Sequence, residues 1–117
     1  MQPAEKILLV RVDEIGAITV NGDTVGSNIL ARYIQERLFK SYLGTGQMHA
    51  RIKLEKVTAD VTDLITEAIA SEIKEAQKRA LTEVCLEKYR KTFLSLEKRQ
   101  QDKLKKLFPV LFQTDYL

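Results

Sequence analysis

His49 and Cys85 are the only histidine and the only cysteine of the chain. Nucleophilic chemistry would begin with them, because an imidazole beside a thiol makes the thiolate that attacks a carbonyl. His49 falls in a loop, and Cys85 falls mid-helix, one residue out of phase with Val84. Such lone residues are far more often structural than catalytic, and no dyad is expected. One cysteine also makes no internal disulfide and says nothing of redox compartment. A metal site needs His, Cys or carboxylates clustered at ligand spacing, and that spacing is missing. Asp60 and Asp63 share one helical turn, the pattern of acids drawn to a helix N-terminus by its dipole. Gly44-Thr45-Gly46 lacks the lysine and the strand–helix setting of a phosphate loop. Gly26-Ser27-Asn28 lacks the second flanking glycine of a nucleophile elbow. The chain therefore reads as non-enzymatic, with no cofactor.

Charge is the next candidate for function. The net charge of +3 is uneven: residues 1–73 hold 8 Lys/Arg against 10 Asp/Glu, residues 74–117 hold 11 against 6. Lys98, Arg99, Lys103, Lys105 and Lys106 concentrate the surplus on one helix. A basic surface of this kind suits nucleic acid, an anionic envelope polymer or an acidic partner. No aromatic stacking platform interleaves with it, and no module signature accompanies it. A solvated helix face is the leading reading and no nucleic acid is expected. A small basic nucleic-acid-binding α+β domain is the alternative.

The elements that would carry a surface follow from periodicity. Val61, Ile65, Ile69, Ile73, Ala76, Ala80 and Val84 are spaced 4, 4, 4, 3, 4 and 4. That spacing draws one apolar stripe down a helix over residues 60–91, with Asp60 as N-cap. A second helix covers residues 29–42, capped by Ser27 or Asn28 and stopped at Gly44-Thr45-Gly46. Ser95 caps a third over 96–108, with Leu96, Leu104 and Leu107 inward and Pro109 ending it. Residues 6–12 read as a strand apolar on both faces, and 17–20 as its hairpin partner across Asp13-Glu14-Ile15-Gly16. Asn21-Gly22 marks another tight turn, after which residues 23–25 make no more than a strand stub. Residues 50–57 alternate strictly, as a strand with one wet face does. Residues 110–114 read as a last strand.

The order β-β-α-β-α-α-β predicts an α+β fold: a two-layer sandwich, a small mixed sheet with helices on one face. At 117 residues it is a single domain. No apolar run approaches the ~20 residues of a membrane span, and the first residues are too short and polar for a signal peptide. Exposed sheet edges pair with other chains, either a second copy or an extended peptide. Val110, Leu111 and Phe112, as the last strand, are the expected dimer and partner interface.

Phe93, Leu96, Glu97, Gln100, Gln101, Leu107, Phe108 and Pro109 stand without gaps in a pattern of their own. It resembles the C-terminal signature of a longer-tailed branch of the ExbD/TolR-type biopolymer transport proteins. The first half, a strand followed by Gly16-Ala-Ile-Thr-Val-Asn-Gly22, Val25 and a helix, is similar to the wider family. The resemblance implies a short cytoplasmic tail, one transmembrane helix and a periplasmic domain, in a single-pass inner-membrane protein of a Gram-negative bacterium. It implies a motor, built with an ExbB-like channel subunit, that uses the proton gradient to energise outer-membrane transport through a TonB-like protein. The periplasmic part would dimerise and contact the TonB-like partner and, in TolR-like relatives, peptidoglycan. The family's proton-carrying aspartate lies in the transmembrane helix, which this sequence does not include, so no aspartate here inherits that role. On this view residues 1–5 are a linker remnant after that helix, and residues 6–117 are the periplasmic domain.

Overall fold

The computed structural model describes residues 7–45 and 48–117. The expected linker remnant at 1–5, together with Lys6 and Gly46, lies outside them. Four strands form one sheet: β1 (Ile7–Val12), β2 (Ile18–Val20), β3 (Asp23–Val25) and β4 (Arg51–Lys56), in the order β3-β2-β1-β4. β1 pairs antiparallel with β2 and parallel with β4, and β2 pairs antiparallel with β3. Three α-helices complete the fold: α1 (Leu30–Thr45), α2 (Asp63–Tyr89) and α3 (Lys98–Leu107). This is the expected two-layer α+β arrangement with a small mixed sheet.

Local chemistry accounts for the turns. Asp13 Oδ1 accepts from the Ile15 and Ala17 amides at 3.0 and 2.8 Å, and Gly16 supplies φ of 83°. Asn21 and Gly22 both take positive φ, 49° and 89°, the conformation that matches strand twist in a two-residue hairpin. The Asn21 side chain also accepts from the Leu9 amide at 2.7 Å, fixing the turn to β1. β1 lies centrally between β2 and β4, yet only one of its faces is covered: Ile7 and Arg11 are exposed and Leu9 is half buried on the other, so the strand is not buried on both faces as its apolar run suggests. Leu8, Val10 and Val12 are buried under the helices with Ile52 and Leu54 of β4. Arg11, Lys53 and Glu55 line the open face, where Glu55 meets Arg11 at 3.6 Å and Lys53 at 3.2 Å.

Several boundaries differ from expectation. The fourth strand is β3 (Asp23–Val25), not residues 110–114, which begin instead as a 3₁₀ turn over Pro109–Phe112. Proline fixes φ at the head of that turn, and both Val110 and Leu111 are buried. A strand lying on one face would bury alternate residues, so a short apolar run alone does not tell the two apart. Thr62, not Asp60, caps α2, its hydroxyl accepting from the Ile65 amide at 3.3 Å. Val61 is buried just ahead of it, and the extended Thr62 delays the helix start. Neither Ser27 nor Asn28 makes a side-chain cap, since a 3₁₀ turn, Ser27–Ile29, leads directly into α1. Glu97, not Ser95, caps α3 through a reciprocal capping box with Gln100. Leu96 and Leu104 are buried as expected, but Leu107 is half exposed.

One relationship orients the whole chain. Parallel pairing puts Ile7 and Arg51 at the same end of the sheet. The Gln113 side chain meets Ile52 and the Tyr116 carbonyl meets the Leu54 amide, so the C-terminal segment runs along β4 away from that end. The residues before it, α3 and the 3₁₀ turn, therefore lie toward the Ile7 end. Tyr42, late in α1, stands edge-on to Phe108 with ring centroids 5.4 Å apart, consistent with that placement. α2 continues past the level of Gln77 for twelve residues, about 18 Å at 1.5 Å per residue, before Arg90 ends it in the left-handed region.

Candidate interaction surfaces

Val110 and Leu111 are core residues of their own chain, fully and almost fully buried. Phe112 is half buried, its ring 5.5 Å from that of Phe93, with the Lys105 ammonium 5.9 Å from its centroid. The three residues expected at an interface thus do not form a free strand. Only Phe112 presents part of its side chain to the surface.

The segment that follows them covers the outer edge of β4. Gln113 acts with its side chain as a strand would with its backbone: its carboxamide oxygen accepts from the Ile52 amide at 2.8 Å and its nitrogen donates to the Ile52 carbonyl at 2.6 Å. The Leu54 amide then donates to the Tyr116 carbonyl at 2.7 Å. Gln77, buried on α2, holds this segment from the other side. Its nitrogen donates to the Val110 and Gln113 carbonyls at 2.7 and 3.0 Å, and its oxygen accepts from the Tyr116 hydroxyl. Burial pushes the Tyr116 hydroxyl above its ordinary pKa. A shallow cleft of about 170 Å³ opens beside it, lined by Thr66, Glu67, Ala70 and Lys74 of α2, Leu54 of β4 and residues 114–117.

Sequence reasoning did not single out Gln77, Gln113 or Tyr116. Gln77 left a readable signal, because it sits within the α2 stripe, four residues after Ile73 and three before Ala80. A carboxamide in an apolar stripe must find partners inside the protein. Gln113 and Tyr116 left none, since their partners are far away in sequence.

His49 and Cys85 are both buried. Burial pushes the Cys85 thiol up, so it stays protonated at neutral pH, the reverse of an activated nucleophile. Cys85 is buried beside Val84, so the packed face of α2 is wider than the stripe implied. Asp63 pairs with Lys56 at 3.6 Å on the surface, a structural role. Among the described residues no three His, Cys, Asp or Glu side chains converge to hold a metal, and no helix is long and apolar enough to cross a membrane.

The basic surplus is the largest electrostatic feature. Residues 88–106 carry eight Lys/Arg and two Asp/Glu, whereas residues 7–87 carry ten and twelve. All eight basic side chains are exposed. Lys98 pairs loosely with Asp102 at 3.8 Å, and Arg99, Asp102, Lys103 and Lys106 rim a shallow open depression. Hydrogen bonds brace the elbow joining α2 to α3. A 3₁₀ turn over Phe93–Ser95 leads into it, and the Gln101 carboxamide donates to the Phe93 and Leu96 carbonyls at 3.0 and 3.3 Å. At its tip Leu94 is 89% exposed.

No known family, curated protein or solved structure matches the chain.

Proposed function

We propose that the chain is the periplasmic domain of an ExbD/TolR-like subunit of an inner-membrane motor driven by the proton-motive force. It works without catalysis, as a homodimer that binds a TonB-like protein and so helps to energise outer-membrane transport. An ExbB-like channel subunit would be engaged through a transmembrane helix that this sequence does not include, and peptidoglycan is a further contact in a TolR-like role. The observation that carries the reading is the gapless resemblance over residues 93–109. Its residues have positioning work that gives a reason for their joint presence. Glu97 and Gln100 cap α3, Gln101 ties the elbow, and Phe108 fills the space beside Tyr42. The two-layer fold and the protonated, buried Cys85 are in keeping with a binding module.

Sedimentation equilibrium of the purified chain tests the reading, together with calorimetric titration by the periplasmic segment of a TonB-like protein from the same genome. A homodimer and saturable binding are expected. A strict monomer that ignores the segment overturns the proposal. The exposed basic residues favour one rival, a nucleic-acid-binding domain. Titration with duplex and single-stranded DNA at rising salt separates the two, because phosphate contacts weaken steeply as counterions are added. Absence of binding at low salt removes the rival.

A further inference from the structure

The end of the molecule that carries the basic charge is also the end at which the chain enters the sheet. Ile7 opens β1 there, level with Arg51, and α3 lies toward that end. The last turns of α2 and the elbow extend farther still. The opposite end holds the Asp13–Ala17 turn, with Asp13 and Glu14 and an exposed Ile15. The molecule is therefore polarised along its length, basic toward the Ile7 end.

Apolar side chains stand among those charges. Leu94 is exposed at the elbow, preceded in the chain by exposed Arg90 and Lys91 and followed by exposed Lys98 and Arg99, and Leu107 is half exposed at the end of α3. Basic residues around an exposed leucine form the combination that adsorbs to an anionic bilayer: the charges meet lipid phosphates and the apolar tip enters the headgroup layer. Nucleic acid is the weaker match, because Phe93 and Phe112 pack against each other in a tilted pair and Phe108 is buried against Tyr42, so these rings offer no open stacking platform.

We infer that the α2–α3 elbow and the basic face of α3 rest on an anionic lipid surface, with Leu94 inserted among the headgroups. The inference rests on the reading that the domain is tethered beside a membrane, and it adds an orientation: basic end against the bilayer, Asp13–Ala17 turn pointing away. Contact of this kind would limit the reach and rotation of the domain around its tether.

The chain contains no tryptophan, so one introduced residue reports alone. Leu94→Trp and Ile15→Trp place the reporter at opposite ends, at positions 89% and 85% exposed where folding is not at stake. Each protein is mixed with phosphatidylcholine vesicles or with vesicles holding about 30% phosphatidylglycerol, a typical anionic fraction. The expected result is blue-shifted emission and quenching by brominated lipid for Leu94→Trp alone, with anionic vesicles alone. About 0.5 M salt should reverse it, since screening shortens the reach of exposed charges. Each basic side chain contributes about fivefold to partitioning, so Lys98→Glu/Arg99→Glu/Lys103→Glu should weaken binding more than tenfold. Equal responses at both positions, no response at Leu94→Trp, or a response that ignores salt overturns the inference. So does a tighter, salt-steep response to duplex DNA. The assay contains no partner protein, so its failure removes the lipid contact and leaves the motor-subunit reading to its own titration.

Discussion

The carboxamide oxygen of Gln77 accepts a hydrogen bond from the Tyr116 hydroxyl, joining the middle of α2 to the penultimate residue across a buried contact. The same carboxamide donates to the Val110 and Gln113 carbonyls, so one side chain closes three polar gaps left by an irregular segment. Leaving such groups unpaired inside the protein costs about 1–3 kcal/mol each. Gln77→Leu should therefore destabilise by about 2–4 kcal/mol despite adding an apolar residue to an apolar stripe. Tyr116→Phe should cost about 1–2 kcal/mol. Urea unfolding of both variants and the double variant checks this. A coupling of about 0.5–3 kcal/mol is expected, and strict additivity would contradict the shared bond.

The elbow rests on Gln101 in the same way. Gln101→Ala leaves the Phe93 and Leu96 carbonyls without their partner and should cost about 1–2 kcal/mol. Gln100→Ala breaks half of the capping box and should cost about 1 kcal/mol. Hydrogen exchange should quicken across α3 in both variants before it quickens in the sheet.

Leu104 and Leu94 share a residue type and differ in place. Leu104→Ala empties a fully buried position and should cost about 2–5 kcal/mol. Leu94→Ala, at an exposed tip, should change thermal stability by no more than about 0.5 kcal/mol. Calorimetric melting of the two variants distinguishes them.

Alkaline pH should loosen the fold. Burial raises the pKa of Tyr116 and Cys85, and for Tyr42 burial is reinforced by the Glu87 carboxylate and by Tyr89. A group with a raised native pKa contributes stability that is fully present below its unfolded value, about 8.5 for Cys and 10 for Tyr. That stability is lost as pH rises through the native value, because the unfolded chain gives up its proton first. Urea midpoints should hold steady near neutrality and fall above about pH 9. Tyr116→Phe should fall less steeply than the parent, and an identical profile would remove Tyr116 from the account.

Much of the architecture was legible in the order of residues. The step-4 and step-3 stripe predicted α2, strict alternation predicted β4, and Asn21-Gly22 predicted a hairpin turn, because each depends on neighbours within a few positions. Residues 110–114 read as a strand for the same reason, although they begin in a 3₁₀ turn. Val110-Leu111-Phe112 is apolar in either conformation. The choice was made by Pro109 and by Gln77, thirty-three residues away, whose amide takes the Val110 carbonyl.

The sequence by itself determined the layers and the sum of charge on the C-terminal helices, since these follow from residue types and short spacings. Only the tertiary structure decided where that charge stands. Parallel pairing of β1 with β4, and the Gln113 side chain against Ile52, carry α3 to the end where β1 begins. Tertiary packing also decided that Val110 and Leu111 serve the protein's own core. Both outcomes rest on hydrogen bonds and packing between residues far apart in the chain, and no local pattern encodes such partners.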